Sequence, residues 1–106
     1  MAAQLTAHLG PDLVATLAGS SNHGIAARWG LESGPEPETA QARRLRFAWA
    51  EWHLLAGEVG PDTARDWFAK ASPWLGDDSP AGAIGQDRFR EVARAAALKI
   101  NYDVEG

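Results

Sequence analysis

The side chains best suited to proton transfer in this 106-residue chain are three histidines, at positions 8, 23 and 53. General acid–base chemistry needs such groups to converge on a pocket with a carboxylate in reach. Two pairs can be drawn, His53 with Glu51 and His53 with Asp66, but a polar residue on the rim of a helix explains His53 more simply. Candidate hydroxyl nucleophiles Ser20, Ser21, Ser72 and Ser79 all stand where helices should begin, and there capping accounts for them. Asp77-Asp78 supplies two acidic ligands without the further oxygens at fixed offsets that a calcium loop requires. The chain has no cysteine, which removes thiolate zinc sites, iron–sulfur clusters, disulfides and cysteine nucleophiles. Phosphate-binding glycine loops of the Walker or dinucleotide type and the H-E-x-x-H zinc motif are missing too. The sequence therefore predicts a non-enzyme, with no catalytic residue, no cofactor and no metal.

The elements that position these residues are helical. Ala, Leu, Arg and Glu dominate, and no segment alternates apolar with polar residues for long, so the predicted fold class is all-α. Hydrophobic residues make up 45% and charged residues 23%, ordinary values for a globular domain. Apolar runs are short and the start Met1-Ala2-Ala3-Gln4 is not basic, which predicts a cytoplasmic protein with no membrane span. Glycine and proline mark the boundaries. Helices are expected over residues 2–9, ended by Gly10-Pro11, and over 12–18, capped by Gly19. A third starts from Ser20, Ser21 or Asn22 and carries Ile25, Trp29 and Leu31.

After the linker Ser33-Gly34-Pro35-Glu36-Pro37 comes the strongest element, from residue 38 to about 57. Leu45, Ala48, Trp49, Trp52, Leu55, Ala56 and Val59 form its apolar stripe, with Arg43, Arg44 and Arg46 off it. Gly60-Pro61-Asp62 restarts a helix with Ala64, Trp67, Phe68 and Ala71 inward, and Ser79-Pro80 opens a short one. A last helix, residues 86–100, buries Phe89, Val92, Ala93, Ala96 and Ile100, and residues 101–106 are left as a flexible acidic tail. The expected organisation is a small N-terminal unit (1–33), a compact helical domain (38–100) and that tail.

Five tryptophans in so short a chain either fill a core or anchor a partner. Trp49, Trp52 and Trp67 lie on apolar stripes and Trp29 belongs with the N-terminal helices. Trp74, in the turn Ser72-Pro73-Trp74-Leu75-Gly76, is open to two readings, docking into another molecule or covering the end of the neighbouring helices. Residues 12–29 have the order helix, Gly19, helix, with Ala15, Gly19 and Ile25 at the offsets of a helix-turn-helix. In that motif Asn22, His23 and Arg28 would read DNA. Electrostatics oppose it: residues 1–40 hold Arg28 against Asp12, Glu32, Glu36 and Glu38, and the whole chain carries −4.

Residues 38–100 resemble a known family, the toxin-binding domain of the Xre/MbcA/ParS antitoxins. The resemblance rests on the long apolar-striped helix, Ala64-Arg65-Asp66-Trp67-Phe68, Ser72-Pro73-Trp74-Leu75-Gly76, Ser79-Pro80-Ala81-Gly82-Ala83-Ile84 and the final Phe89-Arg90-Glu91-Val92-Ala93. This chain has Pro73-Trp74 and Gly76-Asp77 where the family usually has Pro-Asn and two glycines. The resemblance implies a helix-turn-helix unit in front and a bacterial antitoxin function. Such an antitoxin neutralises a RES-domain, NAD-consuming toxin by covering its NAD cleft. Arg94, Lys99, Asn101, Tyr102 and Asp103, with Trp74, are then the expected toxin contacts, because the last helix and tail would lie nearest the cleft. The expected partners are the toxin and, through the first unit, operator DNA, within a homo-oligomer or a hetero-oligomer with toxin. The alternative is a small helix-turn-helix regulator that acts on its own operon.

Overall fold

A computed structural model of the chain describes residues 2–20, 22, 24–29 and 36–105, the last two by their backbone. Among these the fold is all-α, with seven α-helices and no strand. The helices are α1 (Ala2–Leu9), α2 (Pro11–Ala18), α3 (Ile25–Trp29), α4 (Thr39–Val59), α5 (Pro61–Ala69), α6 (Pro80–Gly85) and α7 (Phe89–Glu105). A single 3₁₀ turn, Pro73–Leu75, lies between α5 and α6. None of the described helices is long and apolar enough to cross a membrane.

The boundaries follow from local chemistry. Pro11, Pro61 and Pro80 each open a helix, where the missing N–H costs nothing. Gly19 closes α2 in the left-handed conformation at φ 78°, and Ser79 caps α6 by accepting from Gly82 N at 3.0 Å. Gln41 Oε1 accepts from Glu38 N at 3.0 Å and so fixes the first turn of α4.

One core runs through the molecule. Leu5, Val14 and Leu17 of the first two helices join Leu45, Leu55, Phe68, Leu75, Ile84 and Val92, all fully buried or nearly so. The helix α2 packs on α4 and α6, and α1 reaches α5, so the N-terminal helices and those after residue 38 share that core. Trp52 and Trp67 are buried in it, whereas Trp29 and Trp49 only lean against it. Phe47 stacks on Phe89 at 4.7 Å between ring centres and joins α4 to α7.

Several expected boundaries move, and α7 begins at Phe89 rather than near residue 86. The helix α5 stops at Ala69, which leaves Ala71 exposed rather than inward, because Lys70 is already extended ahead of Pro73. The helix α7 does not end near Ile100 but continues to Glu105, so residues 101–105 are helix and not a separate tail. Lys99 pairs with Asp103 one turn later at 3.1 Å and supports the extension. Leu31, Ser21 and the start of the linker, Ser33 to Pro35, lie outside the described residues.

Arg44 is no idle surface residue. Its Nη1 donates to the Ala18 carbonyl at 2.8 Å while Nε and Nη2 grip Asp87 at 3.0 and 3.2 Å, tying α4 to the ends of α2 and α6. The hydrogen bond from Arg44 holds the Asp87 carboxyl below its usual value, so this contribution to stability persists above that value and fades as pH falls through the lowered one.

At the same junction Gly85 and Gly19 let α6 approach α2. A Cβ on Gly85 would stand 2.7 Å from the Thr16 carbonyl oxygen and 3.4 Å from Gly19 Cα. Gly85→Ala is therefore expected to destabilise the fold by about 2 kcal/mol, read as a lower urea midpoint with unchanged slope. An unchanged midpoint would show that the helices can separate freely.

Candidate functional site

Trp74 reaches the surface because the turn that carries it is tightly held. Ser72 begins the turn, its Oγ accepting from Trp74 N at 3.3 Å and its carbonyl accepting from Leu75 N and Asp77 N, both at 3.0 Å. Its own N–H donates to the Asp78 carbonyl at 3.0 Å. Gly76 closes the turn at φ 64°, a left-handed position that suits glycine. Leu75 is driven into the core, and its neighbour Trp74 is left 42% exposed. Arg88, just before α7, fixes the turn against that helix by donating to the Leu75 carbonyl at 3.3 Å and to Asp78 at 2.6 Å, with Glu91 as a third partner.

Along α7, Arg94, Leu98 and Tyr102 recur every four residues and run past Trp74 on one face. Two depressions adjoin the indole. The larger, about 500 Å³, has Trp67, Lys70, Trp74, Lys99 and Tyr102 around it, with Asp66 and Thr63 on the α5 side. The smaller, about 290 Å³, lies between Trp74 and Glu91, Arg94 and Leu98 of α7. Of the four large exposed apolar side chains among the described residues, three (Trp74, Leu98 and Tyr102) belong to this face; the fourth is Leu54 on α4.

The site residues expected from sequence divide accordingly. Trp74, Lys99 and Tyr102 come together around the larger depression, and Arg94 meets Trp74 at the smaller. Asp103 belongs to the face only through its ion pair with Lys99, and Asn101 is exposed on α7 without lining either depression. Sequence reasoning missed Leu98, and it read Trp67 only as core. Trp67 and Lys70 reach the site from α5 at the end of that helix, and Asp66 pairs with Lys70 at 3.9 Å. The recurrence of Leu98 one turn before Tyr102 was a signal that could have found the stripe.

The DNA-reading set is less complete. Asn22 is exposed, but its Oδ1 accepts from Gly24 N at 3.1 Å, and Arg28 is exposed on α3, a helix of five residues. His23 lies outside the described residues. Of the residues considered for acid–base work, His53 stands edge-on to Trp49 with ring centres 4.3 Å apart, and His8 lies 6.4 Å from the same indole and stacks on Trp52 at 4.9 Å. Among the described residues no group of three or more metal-ligating side chains converges.

Glu51 is half-buried, and its Oε2 has no hydrogen-bond partner among the described residues. Burial raises its carboxyl above the usual 4.5. The folded chain thus holds this proton to higher pH than the unfolded one, and stability falls as pH rises through that window. Glu51→Gln is expected to stabilise the protein at pH 7 by about 0.5 kcal/mol, after allowing for solvent screening, with the gain gone in acid below the ordinary glutamate value. Thermal midpoints of the two proteins across pH would check it; parallel curves would contradict it.

No family model, characterised protein or solved structure matches this chain.

Proposed function

We propose that this protein is a non-catalytic antitoxin that binds a RES-domain, NAD-consuming toxin through the face built by Trp74, Leu98 and Tyr102. The observation that carries the reading is the gathering of three exposed apolar side chains beside Arg94 and Lys99. An exposed aromatic anchor set among polar groups is the pattern of a binding hot spot. The resemblance of residues 38–100 to the antitoxin domain supplies the partner. The C-terminal turn of α7 ends in the acidic residues Asp103 and Glu105. An acidic helix end suits a cleft whose basic groups hold a dinucleotide's phosphates.

Two measurements test this. Purification of the protein from its native host should recover a RES-domain protein, and adding the purified chain should suppress that partner's consumption of NAD. Removal of residues 101–106 should weaken the suppression. Recovery of no RES-domain protein, or NAD loss that continues at saturating chain, overturns the proposal. Unchanged suppression by the truncated chain removes the last turn of α7 from the mechanism.

A second reading, operator binding by residues 12–29, draws on the buried Ala15, the left-handed Gly19 and the exposed Arg28. It requires a mobility shift on upstream DNA that declines steeply with salt and weakens on Arg28→Ala.

A further inference from the structure

Folding gathers most of the chain's cations in one region. Residues 39–50 and 86–94 hold six of the ten Lys and Arg side chains, all arginines (Arg43, Arg44, Arg46, Arg88, Arg90 and Arg94), against Asp87 and Glu91. Both of those acids are engaged. Arg44 holds Asp87, and Arg88 holds Glu91 together with Asp78. Arg43, Arg46 and Arg90 are exposed and make no ion pair among the described residues. The next acid on α4, Glu51, is half-buried one turn beyond Phe47.

The three unpaired arginines come together because α4 and α7 meet beside them. The rings of Phe47 and Phe89 stack with centres 4.7 Å apart, so their sequence neighbours Arg46 and Arg90 flank one seam. Arg43 stands one turn before Phe47. After the hydrogen bond and the charge of Arg44, the charge of Arg43 also helps to hold the Asp87 carboxyl low, which puts it near the start of α7. On a chain of net charge −4 this is a local cationic patch.

Arg44 also sets what the patch adjoins. Its bond to the Ala18 carbonyl brings the end of α2, and with it the left-handed Gly19, against α4. Residues 12–29 carry Arg28 as their only Lys or Arg. A duplex requires phosphate contacts that this segment does not supply by itself. Guanidinium groups suit them, since the planar fork meets two phosphate oxygens at once.

Resting on the reading of residues 12–29 as an operator-binding unit, we propose that Arg43, Arg46 and Arg90 form a phosphate-contacting patch that holds the backbone of duplex DNA beside that unit. The patch adds affinity without sequence preference, because it touches phosphates and not base edges.

The test is fluorescence anisotropy of two labelled duplexes, one from upstream of the chain's own gene and one scrambled, titrated with the full chain across a salt series. Arg43→Ala and Arg90→Ala should each make the slope of log affinity against log salt shallower by about one. The triple variant Arg43→Ala/Arg46→Ala/Arg90→Ala should do so by about three, equally on both duplexes. Arg65→Ala, which removes an exposed arginine from α5, should leave the slope unchanged, and circular dichroism should show every variant folded. A slope unmoved by the triple variant, an equal change from Arg65→Ala, or no binding of either duplex would overturn the patch. Weaker binding of a RES-domain protein by the triple variant, with DNA binding intact, overturns it too and assigns the arginines to the protein partner. If Arg28→Ala abolishes the preference for the upstream duplex while the patch variants change nothing, the operator reading stands and this one falls. Slopes that respond as expected on duplexes bound without preference uphold the patch and sink the operator reading alone.

Discussion

Trp74→Ala is expected to weaken partner binding by about 2 kcal/mol or more, roughly thirtyfold, while the helical content of the protein stays the same. The indole is 42% exposed and borders both depressions, so its removal flattens the face. It does not empty the core, because Leu75 next to it carries the buried contact. Leu54→Ala is the matched control: that side chain is 49% exposed on α4, outside the face, and its loss should leave affinity within about twofold. Calorimetric affinities for the RES-domain partner, with circular dichroism on each variant, make the comparison. Similar losses from both substitutions would mean that exposed apolar area in general, and not this site, holds the partner.

The largest effect on stability should come from Phe68→Ala. Phe68 is fully buried on α5 and meets Trp67 edge-on with ring centres 5.1 Å apart. Truncation of a buried phenylalanine costs about 3–5 kcal/mol, a large share of the roughly 5–15 kcal/mol that holds a typical domain together. Since α5 packs on α1, α4 and α6, the loss should be felt along the whole chain. Hydrogen exchange should show the amides of α2 and α5 losing protection together, in one cooperative unfolding unit. Protection of α2 unchanged beside a weakened α5 would instead mark the N-terminal helices as a separately stable unit.

Much of this architecture was legible because its signals are local. Proline at the first helical position marked the starts of α5 and α6, glycine after the last residue marked the end of α2, and the apolar stripe of α4 pointed to Leu45, Trp52 and Leu55 as core. Where sequence reasoning failed, the cause was distance along the chain. Arg44 looks solvated beside Arg43 and Arg46 until the Ala18 carbonyl and Asp87, 43 residues away, are brought to it. The meeting of Gly85 with Gly19 is likewise invisible in either segment alone.

The end of α7 was misread for a different reason. Asn101 and Asp103 are poor helix formers, and the apolar period stops at Ile100, yet a side-chain pair with Lys99 supports the next turn. That extra turn is what carries Tyr102 to the rim of the larger depression beside Trp74. Of the candidate site, the exposure of Trp74 could be suspected from its proline-flanked turn. The contribution of Trp67 and Lys70 could not, since it depends on how α5 meets α7.

Photo-crosslinking from position 102 in the native host is the most direct test of the face as a toxin-binding surface. A photoreactive phenylalanine analogue replaces Tyr102 in one strain and Leu54 in another, and the captured peptides are identified by mass spectrometry. The account predicts that position 102 captures a RES-domain protein through peptides bordering its NAD cleft and that position 54 does not. Capture of that protein from position 54 alone, or from position 102 only through peptides far from the cleft, would contradict it.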